Sequence, residues 1–325
     1  MSTYTLIAEL EKLQPIQLDS GKVFSNKASG NKIWGFGEKS FFTPSANPHY
    51  CVNPTGPARE IIVWFCSDSP DPLYVYGPTG SGKTSLVKHI ASMLNYPVFE
   101  TTGHARLEFP DLVGHLSVQD GNMIFQYGPL ALAMKYGCLF ILNEGDLLDP
   151  ATAAGLNGVL DGAPLCIPEN GGELIMPHTM FRFCMTANTN GGSDQTGLYQ
   201  GTLRQNLAFM DRFWLCEVDY PAPEIEESIL EREYPSIPKT IRSQLISYAN
   251  EVRSIFRGEN GEMETIEVTM STRTLIRWAE LISKFQPLSR AQINPVEFAL
   301  ERALLMRASP TTRVALREIA QRIFA

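Results

Sequence analysis

Leu73-Tyr74-Val75-Tyr76 runs directly into Gly77-Pro78-Thr79-Gly80-Ser81-Gly82-Lys83-Thr84, and a helical pattern opens at the lysine. No other feature constrains the fold as much as this succession of strand, glycine loop and helix. Glycines let a backbone wrap closely around phosphates, and the free N–H groups at a helix start attract anions. The N–H groups of Gly80, Ser81 and Gly82 are expected to cradle a β-phosphate. Lys83 is expected between the β- and γ-phosphates, and the Thr84 hydroxyl on Mg2+. With Pro78, Thr79 and Ser85, the stretch from Gly77 predicts ATP and Mg2+ as ligands. The alternative, a chance glycine turn, explains neither the strand before the loop nor the helix after it.

From about residue 60 the pattern alternates strands with helices. Leu86, Val87, Ile90 and Leu94 recur at helical spacing, and Pro97 to Glu100 reads as the next strand. Cys138 to Leu142 is a continuous apolar run, as suits a parallel strand covered on both faces. The following helix is punctuated by Asp149 as N-cap, Pro150 at its first position and Gly162 just past its end. Phe181 to Met185 and Phe213 to Cys216 supply two more strands. The fold class is therefore α/β, with a mostly parallel sheet and helices on both faces. Two stretches, Leu112–Phe125 and Leu165–Met176, carry turn pairs (Asp120-Gly121, Gly171-Gly172) between β-prone runs and read as inserted hairpins.

After Tyr220-Pro221-Ala222-Pro223 the strand signals stop. Helical periodicity fills Glu224–Tyr234, Lys239–Phe256, Ser271–Phe285 and Pro295–Phe324, with breaks at Pro287 and Pro310. Three divisions follow: an irregular or short-stranded segment over 1–59, an α/β core over 60–220 and an all-helical lid over 221–325. In the first, Pro44, Pro48 and Pro54 punctuate the chain, and Gly35-Phe36-Gly37 reads as a turn.

Hydrophobic residues make up 44% and charged residues 19%, the balance of a globular chain. No apolar run is long enough for a membrane span, and Met1-Ser2-Thr3-Tyr4-Thr5 does not open a signal peptide, so a cytoplasmic location is expected. The cysteines at 51, 66, 138, 166, 184 and 216 and the histidines lack metal-ligand spacing and read as reduced thiols and ordinary imidazoles. A net charge of −8 argues against a general nucleic-acid surface. The arginines at 302, 307, 313, 317 and 322 alternate with apolar residues, as a solvated helix face does.

Asn143 and Glu144 follow the 138–142 strand. Glu144 is the candidate base that polarises an attacking water, while Asn143 offers a neutral oxygen to a metal-bound water. Asp146, two residues on, is a further carboxylate that could bring charge to that position. Asn188 ends the strand near Met185, in Thr186-Ala187-Asn188-Thr189, where its side chain can orient that water. Arg212 and Arg273 are candidates for stabilising transition-state charge. Taken singly, an asparagine at a strand end is more often a turn former and an arginine more often a surface ion-pair partner.

Taken in order, these positions resemble the AAA+ ATPases of the MoxR group. The run from Thr186 through Asp194, Thr196-Gly197-Leu198-Tyr199, Gly201-Thr202, Asn206 and Met210-Asp211-Arg212 is similar to the CobS-type small ATPase subunits of aerobic cobaltochelatases. So is Met270-Ser271-Thr272-Arg273-Thr274 with Trp278-Ala279-Glu280. The resemblance covers residue 60 to the end. It implies that Asn188 is sensor 1, Arg273 the sensor 2 arginine of the lid, and Arg212 an arginine finger reaching a neighbouring subunit, with Arg204 the alternative finger. It also implies a hexameric ring with ATP between subunits, and a partner with a von Willebrand A-type metal-binding domain (CobT in the cobaltochelatase). Asn143 departs from the aspartate usual in that family.

Three function classes remain. The first is a ring ATPase that remodels a partner complex, in its narrow form the ATPase of a cobalt chelatase. The second is a nucleotide-regulated structural ring with weak hydrolysis. The third is a DNA-translocating ring, against which the acidic charge and the lack of a basic, aromatic-bearing loop both weigh.

Overall fold

A computed structural model describes residues 3–25, 27, 29–48, 50, 56–68, 71–119, 121–192, 199, 201–258 and 266–325. Cys51, Pro54, Asp120 and the run Asp194, Thr196, Gly197 and Leu198 lie outside the described residues. The chain divides into two compact units. One comprises 1–47, 52–77 and 83–218; the other comprises 48–51, 78–82 and 219–325.

The first unit opens with α1 (Thr3–Leu10), β1 (Pro15–Asp19), α2 (Ser20–Ser25), β2 (Lys32–Phe36) and α3 (Pro57–Cys66). Strands β1 and β2 form an antiparallel pair, so the segment read as irregular or short-stranded holds a small two-stranded sheet, and it also holds the helices α1 and α2 and the start of α3. Gly35 is not a turn residue: it lies inside β2, where an added Cβ would stand 2.6 Å from the Leu94 carbonyl oxygen. Phe36 N–H donates to that same oxygen at 2.9 Å. Glycine is needed here for close approach rather than for chain reversal.

The core follows as β3 (Leu73–Tyr76), α4 (Lys83–Met93), β4 (Val98–Thr102), α5 (Phe109–Val113), β5 (Gly114–Gln119), β6 (Asn122–Tyr127) and α6 (Pro129–Tyr136). Then come β7 (Leu139–Asn143), α7 (Pro150–Leu160), β8 (Leu165–Ile167), β9 (Glu173–Ile175), β10 (Arg182–Ala187), α8 (Leu207–Met210) and β11 (Trp214–Glu217). Five of these strands make one sheet in the order β11-β3-β10-β7-β4, every neighbouring pair parallel. β3, β7 and β10 occupy its middle, and Leu73, Val75, Phe140, Ile141, Cys184 and Met185 on them are buried, as their unbroken apolar runs require. Burial pushes the thiols of Cys138 and Cys184 up, and the five described cysteines are unbridged.

Both expected hairpins form, β5 with β6 and β8 with β9. A polar cluster links them. The Tyr127 hydroxyl donates to Glu173 Oε2 (2.6 Å), and Lys135 Nζ of α6 donates to Tyr127 Oη and Glu173 Oε1, both at 3.1 Å. The N-cap of α7 is Asp149, whose carboxylate accepts the Ala151 N–H at 2.8 Å, and Gly162 beyond its end has φ 74°.

The second unit contains α9 (Pro223–Glu233), α10 (Lys239–Phe256), α11 (Thr272–Phe285), α12 (Pro295–Ala303) and α13 (Pro310–Phe324) around Tyr248, Trp278 and Leu316. Arg253 and Glu226 form a buried two-point ion pair at 2.7 and 2.9 Å. Thr272 Oγ1 donates to the same carboxylate at 2.7 Å, and Arg253 Nε to the Met270 carbonyl at 2.8 Å, which anchors the start of α11. Among the described residues no helix is long and apolar enough to cross a membrane.

Candidate nucleotide site

Register brings the site together. Ala187 of β10 pairs with Tyr76 of β3, and Met185 pairs with Leu142 of β7. The residues at the carboxyl ends of these central strands are therefore Gly77, Asn188 and Asn143, the position where open α/β sheets bind ligands.

The loop after β3 has the conformations that its glycines allow. Gly77, Gly80 and Gly82 have φ of 144°, 70° and 97°. A Cβ on Gly77 would stand 2.2 Å from the Val218 carbonyl oxygen. Ser81 N–H closes a long turn bond on the Pro78 carbonyl (3.3 Å), while among the described residues no hydrogen bond takes the N–H of Gly80 or Gly82. Ser81 Oγ is buried without a hydrogen-bond partner among the described residues. Donors left open in a glycine loop at a helix start are what an anionic ligand satisfies. Ser85, in the first turn of α4, is exposed.

Lys83 is buried. Its ammonium donates to the Gly77 carbonyl at 2.8 Å and to Asn188 Oδ1 at 3.1 Å. The other end of that amide, Nδ2, donates to Glu144 Oε2 at 2.7 Å. One asparagine therefore bridges a cation and an anion, oxygen towards the ammonium and nitrogen towards the carboxylate. The reverse orientation would set like against like. Glu144 itself has left-handed backbone angles (φ 53°, ψ 44°), a conformation that costs a non-glycine residue energy and is typical of functional turns. Gly103 makes room for it: a Cβ there would stand 2.7 Å from the Glu144 carbonyl oxygen.

Thr84 Oγ1 donates to Asn143 Oδ1 at 2.7 Å, and Thr186 Oγ1 donates to the same oxygen at 3.1 Å. Thr84 and Asn143 offer neutral oxygens, a donor set that fits a Mg2+ whose remaining ligands come from phosphate and water. Thr186 was not among the candidate residues. Its signal is a hydroxyl inside an apolar strand, two residues from Asn188 and hence on the same face.

Asp146 does not join this donor set. It is fully buried in a 3-10 turn (Gly145–Leu147), and its Oδ2 accepts the backbone N–H groups of Asn188 (2.8 Å) and Thr189 (3.1 Å). Arg212 is held in its own chain, where Nε and Nη2 donate to the Asp161 carboxylate at 2.7 and 3.0 Å and Nη1 to the Ala208 carbonyl. Both partners are partly exposed. Arg204 is exposed. In the second unit Arg273 is exposed on the first turn of α11, and its Cβ lies 3.6 Å from where a Cβ on Gly80 would stand.

Residues 72–213 match the AAA domain of the dynein-related subfamily, and residues 226–323 match the CbbQ/NirQ/NorQ C-terminal domain. Aerobic cobaltochelatase subunit CobS of Sinorhizobium sp is 29% identical over 307 residues, spanning 90% of this chain and 86% of that one. Protein CbbQ of Hydrogenophilus thermoluteolus is 29% identical over 256 residues, 78% of this chain and 88% of that one. Midasin of Dictyostelium discoideum is 30% identical over 73% of this chain, which spans 4% of its length. Among solved structures, a mutant of Thermotoga maritima RuvB is 17% identical with a TM-score of 0.46, over 71% of this chain and 62% of that one.

A parallel sheet edge carrying a glycine phosphate loop, with a helical second unit, defines a P-loop ATPase of the AAA+ class. Within it the chain joins a dynein-related AAA domain to a CbbQ/NirQ/NorQ C-terminal domain, and CobS and CbbQ, AAA+ ATPases of the MoxR type, are its homologues.

Proposed function

We propose that this ATPase works as a cytoplasmic hexameric ring with ATP between subunits, and that it turns hydrolysis into remodelling of a partner protein complex. The observation that carries the reading is the Lys83–Asn188–Glu144 bridge, which sets a cation, an amide and a carboxylate within one hydrogen-bonded unit. In it Lys83 holds the β- and γ-phosphates, Glu144 accepts the proton of the attacking water, and Asn188 orients that water. Thr84 and Asn143 would hold Mg2+, which when bound neutralises phosphate charge. The N–H groups of Gly80 and Gly82 bind the phosphate chain.

Charge that develops at the γ-phosphate needs a further cation, and Arg212 of a neighbouring subunit supplies it. Its exposed pair with Asp161 supports this role, because a solvent-exposed ion pair is weak and readily exchanged. Arg273 acts from the lid of the same chain. In domain terms, 60–220 is the motor, 221–325 the lid, and 1–59 a separate N-terminal segment. The likeness to CobS supports a client with a von Willebrand A-type metal-binding domain. We favour the broad reading, remodelling in an unspecified system, over cobalt insertion alone, since motifs at a nucleotide site do not specify a client.

The test is steady-state phosphate release with and without excess Mg2+. Glu144→Gln is expected to lower turnover by roughly 10²-fold or more while nucleotide binding persists. Turnover no higher than background, alone or with the partner, would replace the motor by a structural ring.

A further inference from the structure

Asp146 is a charged residue that the roles above leave unused, and it is wholly buried. Its Oδ2 accepts two successive backbone N–H groups, those of Asn188 and Thr189. Its Oδ1 takes no hydrogen bond among the described residues. For folding alone this is a poor arrangement. A buried carboxylate with one oxygen unpaired is costly, and an apolar side chain would fill the turn more cheaply.

What the carboxylate does is local and directional. Two consecutive N–H groups converging on one anionic oxygen fix the curvature of the backbone that carries them. The segment is fixed from its other side too, because the Tyr74 hydroxyl of β3 donates to the Thr189 carbonyl at 3.1 Å. Asp146 thus holds the main chain at Asn188 and Thr189, and Tyr74 holds it at Thr189, while the Asn188 amide spans Lys83 and Glu144. The left-handed turn at Glu144 starts the 3-10 turn that carries Asp146, whose carboxylate meets the backbone after β10. The main chain of Asp146 also takes part, its carbonyl accepting the Leu203 N–H at 2.7 Å.

We propose that Asp146 is a positioning residue for ATP hydrolysis: it acts through Asn188, setting where that amide stands between Lys83 and Glu144. It therefore does not make up for the charge that Asn143 lacks. This inference rests on the roles given above to Asn188 and Glu144.

The experiment is a double-mutant cycle in the full chain, using Asp146→Ala, Asn188→Ala and the pair. Turnover, KM, affinity for a fluorescent ATP analogue and Tm are measured for each. Asp146→Ala is expected to lower kcat roughly tenfold with KM and analogue affinity within about twofold of wild type. The double variant is expected to be no slower than Asn188→Ala, because both changes remove one interaction. Asp146→Asn is expected to recover most of kcat, since its amide oxygen still accepts both N–H groups. If Asp146→Ala does not fold, the same cycle is run with Asp146→Asn, whose smaller loss is expected to vanish in the Asn188→Ala background.

Losses that multiply in the double variant, with Asn188→Ala itself slow, overturn the role of Asp146 and leave that of Asn188 standing. Wild-type turnover in Asn188→Ala overturns the role of Asn188 and with it the inference. A kcat that follows Tm across the Asp146 variants, with no recovery in Asp146→Asn, reduces Asp146 to a folding residue and overturns the proposal.

Discussion

The amide nitrogen of Asn188 lies 2.7 Å from Glu144 Oε2, so the amide that follows β10 and the acid that follows β7 form one hydrogen-bonded pair. The pair depends on strand register. β10 and β7 run parallel with Met185 opposite Leu142, which sets the two polar ends side by side.

Asn143 sets the charge at the metal position. Asn143→Asp retains an oxygen for the Thr84 and Thr186 hydroxyls and adds a negative charge. The Mg2+ concentration for half-maximal nucleotide binding is expected to fall roughly three- to tenfold. A titration of fluorescent nucleotide binding against Mg2+ reads it, and an unchanged midpoint would separate Asn143 from the metal.

Gly77→Ala tests the close approach at the end of β3. Its φ of 144° and the 2.2 Å approach of the Val218 oxygen leave no room for a methyl group. A loss of about 2 kcal/mol or more in stability is expected, read as a lowered Tm in the absence of nucleotide. A Tm matching that of wild type would mean that the backbone relaxes at little cost.

The shared-site role of Arg212 is read by mixing inactive subunits. Arg212→Ala and Lys83→Ala subunits combined are expected to hydrolyse ATP faster than either alone, since some interfaces regain both a lysine and an arginine. Assembly of mixed rings without any recovery would assign Arg212 to its own chain, on Asp161.

Glu267 makes one contribution to stability dependent on pH. Partial burial raises its pKa, but the Thr312 hydroxyl and the Ser309 N–H outweigh that and hold it at about 2. A carboxylate depressed in the fold stabilises above its unfolded pKa, and the contribution is lost as pH falls towards the folded value. The Tm difference between wild type and Glu267→Gln is expected to be full at pH 7 and to shrink from about pH 4.5 down towards 2. A difference that stays constant over that range would assign the effect to hydrogen bonding alone.

The strands, both hairpins and the cap of α7 were legible because apolar runs, turn pairs and an Asp-Pro start are local signals. The order of Lys83, Glu144 and Asn188 along the chain was legible for the same reason: each follows a strand that ends at one edge. What stayed hidden depends on direction rather than on pattern. Asp146 faces the Asn188 backbone because Glu144 adopts a left-handed turn, and nothing in Asn143-Glu144-Gly145-Asp146 announces it. Gly35 passed for a turn because its partner, the Leu94 carbonyl, is distant in sequence. Asp161, the partner of Arg212, is 51 residues away and equally out of reach of a local reading.

The parallel register across β3, β10 and β7 also governs how this molecule can diversify. One residue inserted into any of those strands would turn every following side chain to the opposite face and carry Gly77, Asn188 or Asn143 away from the others. The hairpins at 114–127 and 165–175 leave the sheet through its connections, so they tolerate changes of length and composition that move no member of the nucleotide site. The loops are thus free to vary, while the chemistry stays locked to the register of the sheet.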